Sequence, residues 1–308
     1  MLGRWPGHPP ASLNRKKGIF MRKSLIGLLA VAGLTLSACG GSSESSDTTA
    51  AAGTSGNECT TGKTLAEGKL TIGTGNPAFS PWVENDAPEA GEGFEAAVAY
   101  AVATQLGFST ENVSWVRTSF DEAIQPGAKN FDFNLQQYSI TDERKQTVSF
   151  SDPYYTTNQA IVGYADSAAA SATTVAELQG LKFGVQSGTT SLEFLNTVVM
   201  PTNEPYVYDD NAAAKAALEA KQIDAIVVDL PTAFYISAVE IEGTKVIGQF
   251  PAGEGTVADQ FGLVFDLESP LVECVNVALA ALKDSGELAA IEQTWLSDKT
   301  SAPVISLG

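Results

Sequence analysis

Strand-like and helix-like segments alternate along this chain in two echoing series, which predicts an α/β protein built as two lobes. Three observations carry that prediction. From Lys69 onward, short apolar runs are separated by amphipathic stretches, with connections short enough for βα units. Ser119-Phe120-Asp121-Glu122-Ala123-Ile124, leading to Asn130-Phe131-Asp132-Phe133-Asn134-Leu135-Gln136-Gln137, is echoed by Ala213-Ala214-Lys215-Ala216-Ala217-Leu218, leading to Gln222-Ile223-Asp224-Ala225-Ile226-Val227-Val228-Asp229. Each copy reads as a helix, a turn with Asp, and a buried strand with a polar end. The C-terminal helices belong with the first series, which disfavours one continuous α/β domain.

The first series opens with a short strand at Leu70-Thr71-Ile72-Gly73. A helix over 93–106 follows, because Phe94, Ala97, Val98, Ala101, Val102 and Leu106 recur at helical spacing. Residues 113–116 read as a strand, 119–124 as a short helix with Ser119 as N-cap, and 131–135 and 160–164 as strands. In the second series, 174–178 predicts a helix, 181–185 a strand, 190–199 a helix after a Ser-Gly-Thr turn, and 205–208 a strand. An Ala-rich helix over 211–220 precedes a strand over 223–228. Segments 245–250 and 261–265 return toward the first series, and 270–282 and 287–295 read as terminal helices. Ligands gather beyond the carboxyl ends of strands in α/β sheets, so two facing sheets put Gln137 on one wall of a cleft and Asp229 on the other.

Composition narrows the function. The 308 residues carry 18 Lys+Arg against 36 Asp+Glu. The only bases of the first 39 residues, Arg4, Arg15, Lys16, Lys17, Arg22 and Lys23, face no acid there, so the remaining 269 residues have a net charge of −24. Such a surface repels phosphate backbones and argues against nucleic-acid binding. The one histidine, His8, also lies in the basic head. Without that head the chain has no imidazole for Ser-His-Asp or Cys-His catalysis, or for a His-ligated metal.

Arg22-Lys23 precedes a 12-residue apolar run from Leu25 to Leu36, then Ser37-Ala38-Cys39-Gly40. This is the pattern of a secretory signal peptide over 1–38, too short to span a membrane. Met21 begins a complete signal by itself, so 1–20 is either an early start or a mis-assigned one. The stretch after Cys39 is dominated by Gly, Ser, Thr and Ala and predicts a flexible tether, taken as 39–60. Of three cysteines, assigning Cys39 to the head leaves Cys59 and Cys274. An exported compartment permits a disulfide between them; two unpaired thiols are the alternative.

Residues 68–297 resemble the family 3 solute-binding proteins of ABC transporters. The resemblance rests on Leu70-Thr71-Ile72-Gly73-Thr74 with Phe79-Ser80-Pro81-Trp82, and on Gly93-Phe94-Glu95. Its most specific block is Ser139-Ile140-Thr141-Asp142-Glu143-Arg144, running into Phe150-Ser151-Asp152-Pro153-Tyr154-Tyr155. Gly184-Val185-Gln186-Ser187-Gly188-Thr189-Thr190 and the spacing of Leu282, Gly286 and Trp295 complete it. Leu36-Ser37-Ala38-Cys39 in turn resembles a lipobox, whose cysteine becomes the lipid-modified first residue of the mature protein. The family resemblance implies a two-lobed periplasmic-binding-protein-like fold (type II), with two α/β sheets joined by a two-strand hinge. Lobe 1 is expected over 61–158 plus 250–308 and lobe 2 over 159–249.

It also implies an extracytoplasmic, lipid-anchored monomer that captures an α-amino acid and delivers it to an ABC permease, with no cofactor and no metal. Position by position, Arg144 matches the arginine that grips the ligand carboxylate, a role suited to a guanidinium fork. A surface salt bridge with Asp142, Glu143 or Asp152 is the alternative. Ser139 matches a contact to carboxylate and amine, and Thr190, preceded by Thr189, a backbone donor at a helix start. Asp229 matches the acid that pairs with the ammonium; capping of the helix near Pro231 is the alternative. Gln137 matches a carbonyl acceptor, and Phe79, Trp82 and Phe120 match aromatic pocket positions. Gly75-Asn76-Pro77 stands where the family often has an acid for cationic ligands, and Gln136-Gln137 replaces small residues, so side-chain specificity does not transfer. Two rivals remain: an amino-acid sensor for a membrane partner, and a small dehydratase-like enzyme using Asp or Glu.

Overall fold

The structure, a computed structural model, describes residues 56–253, 255–296 and 302–307. The signal segment, Cys39 and the tether up to residue 55 lie outside the described residues. Lobe 1 begins with β1 (Leu70–Gly75), α1 (Phe94–Gln105), β2 (Val113–Thr118), α2 (Phe120–Ile124), β3 (Phe133–Asn134) and β4 (Ser149–Phe150). The chain then crosses through β5 (Tyr155–Thr157) into lobe 2. There it forms β6 (Gln159–Tyr164), α3 (Val175–Leu178), β7 (Phe183–Gln186), α4 (Thr190–Phe194), β8 (Tyr206–Tyr208), α5 (Asn211–Glu219), β9 (Ala225–Asp229), α6 (Leu230–Tyr235) and β10 (Thr244–Phe250). It returns through β11 (Asp259–Phe261) to β12 (Val264–Phe265), α7 (Val272–Asp284) and α8 (Glu287–Trp295).

Each lobe has a five-stranded mixed sheet, ordered β2-β1-β3-β12-β4 in lobe 1 and β10-β6-β9-β7-β8 in lobe 2. β1 lies parallel to β2 and β3, while β12 runs antiparallel between β3 and β4. In lobe 2 the β9, β7 and β8 strands are parallel, and β6 and β10 are antiparallel additions. β5 and β11 pair antiparallel, Tyr155 opposite Phe261, and form the two-strand connection between lobes. This is the two-lobed α/β architecture that the alternation of segments predicts.

Local chemistry explains the element ends. Ser119 caps α2 in a full capping box with Glu122, and Asp210 caps α5 by accepting from the Ala213 amide. The second half of the helix expected over 190–199 widens into a π turn at Leu195–Val199 and stops at Met200, whose φ is 47°. α1 is buried on nearly every side rather than along one stripe, because α7 and α8 cover it opposite the sheet. Lobe 2 has a core on each face of its sheet, one around Phe183 and Leu178, the other around Leu218 and Ile236.

Three boundaries differ from expectation. The segment 245–250 does not return to the first series: β10 pairs with β6 over its whole length and buries Phe250 in lobe 2. Residues 302–307 are not part of lobe 1 either. Val304 bridges to Gln249, Ser306 bridges to Thr174, and Ile305 enters the lobe 2 core. At the other end, residues 56–60 are not tether. The Gly56 and Asn57 amides donate to the Gly107 and Leu106 carbonyls at 3.0 and 2.9 Å, and Glu58–Thr60 forms a 3-10 turn.

That turn is bonded to α7: Cys59 and Cys274 form a disulfide with Cα atoms 5.9 Å apart, at positions separated by 215 in sequence. Both cysteines belong to lobe 1. Replacing both with serine should lower the unfolding free energy by about 2–5 kcal/mol, chiefly by freeing the unfolded chain. Denaturant melts of the two proteins check this, and unchanged midpoints would deny the bond a stabilising role.

Candidate functional site

The carboxyl ends of β3, β7 and β9 converge on one cavity between the lobes, as the strand-end rule for α/β sheets requires. Its lining includes Phe79, Phe120, Gln137, Ser139 and Arg144 from lobe 1, and Thr189, Thr190 and Asp229 from lobe 2. Of the nine candidate ligand residues, only Trp82 is absent from it.

Arg144 sits at the start of a 3-10 turn and is only 8% exposed. Its Nη1 donates to the Ser139 carbonyl at 2.7 Å and its Nη2 crosses to the Gly188 carbonyl at 2.9 Å. The guanidinium carbon lies 5.4 Å from the centre of the Phe120 ring, which also packs against Tyr138. No carboxylate among the described residues pairs with it; Asp142, one of the acids proposed as its salt-bridge partner, takes Lys145 instead. Burial lowers the pKa of this guanidinium, with Tyr138 and then Asp259 opposing the shift. Arg144 is therefore a desolvated cation held by two carbonyls and the Phe120 ring, with no carboxylate paired to it among the described residues, and an anion entering the cavity would complete its coordination.

Lobe 2 meets this cation through a tight loop. Gly188 has φ 68°, a left-handed conformation that favours glycine, and a Cβ there would lie 2.3 Å from Asp121 Oδ1 of lobe 1 and push that side chain aside. Thr189 caps α4 by accepting from the Leu192 amide and donates to the Gln186 carbonyl. Thr190 follows as the first helical residue, and its hydroxyl lies 3.2 Å from the Ser139 hydroxyl across the cleft.

Asp229 ends β9 and caps α6, and it also lines the cavity. The two readings of this residue thus coexist. Its Oδ1 accepts from the Thr232 amide at 3.0 Å and its Oδ2 from the Thr232 hydroxyl at 2.8 Å. Enclosure by both lobes pushes its pKa up to about 6, against those hydrogen bonds.

Trp82 is a correction. It is 1% exposed, does not itself line the cavity, and stacks edge-on with Phe94, Tyr155 and Phe261, the last of which does line it. Its indole N–H crosses to the Thr232 hydroxyl at 2.7 Å, the same hydroxyl that holds Asp229. Thr232 is a residue the sequence does not flag, since only the fold joins it to Trp82. Phe79 does line the cavity and has the Lys215 ammonium 5.0 Å from its ring centre.

Glu95 is the second residue that sequence reasoning misses as part of the site. It is 1% exposed and accepts from the Gln137 amide at 2.7 Å, from the Gln137 side chain, and from the Tyr154 hydroxyl. Gln137 is held in the left-handed region at φ 51° by this carboxylate, which fixes how the chain passes the cavity. Burial raises the Glu95 pKa to about 7 from 4.5, opposed by those three hydrogen bonds. The only sequence signal was its place in Gly93-Phe94-Glu95, which reads as a helix start.

The family model for bacterial extracellular solute-binding proteins, family 3, matches residues 70–298. An arginine-binding periplasmic protein of Mannheimia haemolytica is 28% identical over 228 residues, covering 72% of this chain and 90% of that protein. The L-cystine-binding protein TcyJ of Escherichia coli is 31% identical over 206 residues, covering 66% and 73%. Among solved structures, an ancestral arginine-binding protein bound to glutamine superposes with a TM-score of 0.63 at 30% identity, covering 76% of this chain and all of that one. The chain belongs to family 3 of the bacterial extracellular solute-binding proteins.

A raised carboxyl pKa has a definite consequence for stability. The folded state holds the Glu95 proton more tightly than the unfolded chain does. Its contribution is complete below about pH 4.5 and is lost as the pH rises through about 7. The free protein should therefore lose on the order of 1–3 kcal/mol between pH 5 and pH 8 from this group, with Asp229 adding in the same direction. Chemical denaturation across that range, with Glu95→Gln alongside, measures it; an equal slope in the variant would assign the effect elsewhere.

Proposed function

We propose that this solute-binding protein captures a free α-amino acid between its lobes, Arg144 taking the carboxylate and Asp229 the ammonium, and presents it to an ABC permease. The observation that carries this reading is a pair of opposite charges on opposite walls of one cavity, neither of which is the other's partner. A zwitterion satisfies both. Neither lobe alone supplies both charges, so ligand binding favours the closed arrangement. Ser139 and Thr190, whose hydroxyls face each other across the cleft, and the carbonyl of Gln137 add uncharged contacts in this reading. The names of the relatives, which bind arginine or cystine, support an amino acid as the ligand class. Asp229 is the single carboxylate in the cavity lining, and Glu95 is turned onto Gln137 and Tyr154, which favours capture over acid–base catalysis.

Arg144→Ala should weaken binding by at least about 10²-fold, because the ligand carboxylate loses its water without regaining a charged partner. Asp229→Ala should do the same at the ammonium end, and the deaminated analogue of the best ligand should be rejected by the unmodified protein. Affinity should also fall as the pH drops below about 6, where Asp229 takes up a proton and no longer offers a charge. Calorimetric titration reads all three. Wild-type affinity in Arg144→Ala would place the carboxylate elsewhere.

The same reading includes the anchor. Cys39 would carry lipid and so hold the folded lobes at the membrane surface. Cys39→Ser should then appear in the soluble extracytoplasmic fraction; a variant that stays with the membrane and is processed as before would refute the lipoprotein assignment.

A further inference from the structure

The cavity lining says something about the ligand beyond its backbone. Resting on the amino-acid reading above, we propose that the captured side chain is uncharged and hydrogen-bonding, with a carboxamide as its best match. Only two full charges line the cavity, Arg144 and Asp229, and an α-amino acid's own carboxylate and ammonium use both. What remains of the polar lining is dominated by amides.

These amides are not equally committed. Gln159 is fully occupied: its Nε2 donates to Asp259 at 2.7 Å and its Oε1 accepts from Ser191 at 2.7 Å. Gln186, at the carboxyl end of β7, is 7% exposed, and its side-chain amide has no hydrogen-bond partner among the described residues. Gln136 accepts from the Tyr138 hydroxyl at 3.0 Å, which leaves its NH2 group open. That group lies 2.9 Å from where a Cβ on Gly75 would be, so the absence of a side chain at 75 makes room for it. Asn211, the first residue of α5, adds a third amide with no side-chain partner in the described chain.

Charged and apolar side chains each leave something unpaired. A cationic side chain would place a second cation in a cavity that already encloses Arg144, with no second carboxylate facing it. An anionic one would find the nearby Lys215 already paired with Glu240 at 2.6 Å. An apolar one would leave the Gln186 amide buried without a partner, which is unfavourable on both its donor and its acceptor side. A carboxamide donates and accepts at once, as Gln186 requires, and its polarity suits the NH2 of Gln136.

The test is calorimetric titration of the exported protein with glutamine, asparagine, arginine, lysine, glutamate and methionine. A carboxamide ligand is expected to bind at least about 10-fold more tightly than the other four. If arginine, lysine, glutamate or methionine binds best, the side-chain inference is overturned while amino-acid capture stands. If none of a full set of α-amino acids binds, the underlying reading fails, and this one with it. Gln186→Leu provides the second arm. It should lose about 10-fold or more for the carboxamide ligand and bind methionine more tightly, since no unpaired amide then faces the apolar side chain. An equal change for both ligands would overturn the pairing of the side chain with Gln186.

Discussion

A guanidinium shut away from water, with two carbonyl oxygens and one aromatic ring around it and no paired carboxylate among the described residues, is the constraint on which the rest of this structure depends. Arg144 takes one of those oxygens from its own lobe, at Ser139, and the other from Gly188 across the cleft. Burying a cation this way is costly, and carbonyl dipoles offset only part of that cost. The arrangement therefore requires the lobes to approach closely at one loop. That requirement explains the glycine at 188, where a Cβ would push the Asp121 side chain aside, and the hydroxyls of Ser139 and Thr190 set face to face. A charge of the opposite sign waits on the other wall. Asp229 is tied to Thr232, and Thr232 is tied to the buried indole of Trp82, so both walls are positioned by bonds that cross between lobes.

The scaffold separates stability from this meeting place. Each lobe packs its own hydrophobic clusters, and the disulfide lies wholly within lobe 1. Between the lobes the described chain offers two antiparallel strands and a few polar bridges, among them Ser187 to Asp121. Polar bridges can be exchanged for ligand or water at little net cost, whereas a shared apolar core could not be parted so readily.

Much of this was legible in the sequence because it is local. The succession of strands and helices along the chain, the cap at Ser119, and the polar residues at strand ends follow from spacing and residue type. Asp229 stands out because a carboxylate at the end of an apolar strand needs a partner, whereas Arg144 is picked out by the family resemblance of its block. What stays hidden is set by contacts between distant segments. Trp82 reads as a pocket aromatic because it follows a strand in a turn, yet Phe94, Tyr155 and Phe261 draw it into the core. Glu95 sits at the start of an apolar helix, and nothing nearby in sequence shows that Gln137 and Tyr154 close over it. The open amide of Gln186 is visible only once Gln159 is seen to be spent on Asp259 and Ser191.

The end of the chain adds one more crossing to the two made by β5 and β11. α8 belongs to lobe 1, whereas Val304, Ile305 and Ser306 are laid on the lobe 2 sheet. Two positions a dozen residues apart in sequence therefore ride on different lobes. A pair of fluorophores placed on α8 and on residues 302–307 would form a short optical gauge of lobe separation, encoded in a single stretch at the C-terminus and independent of any label inside the cleft.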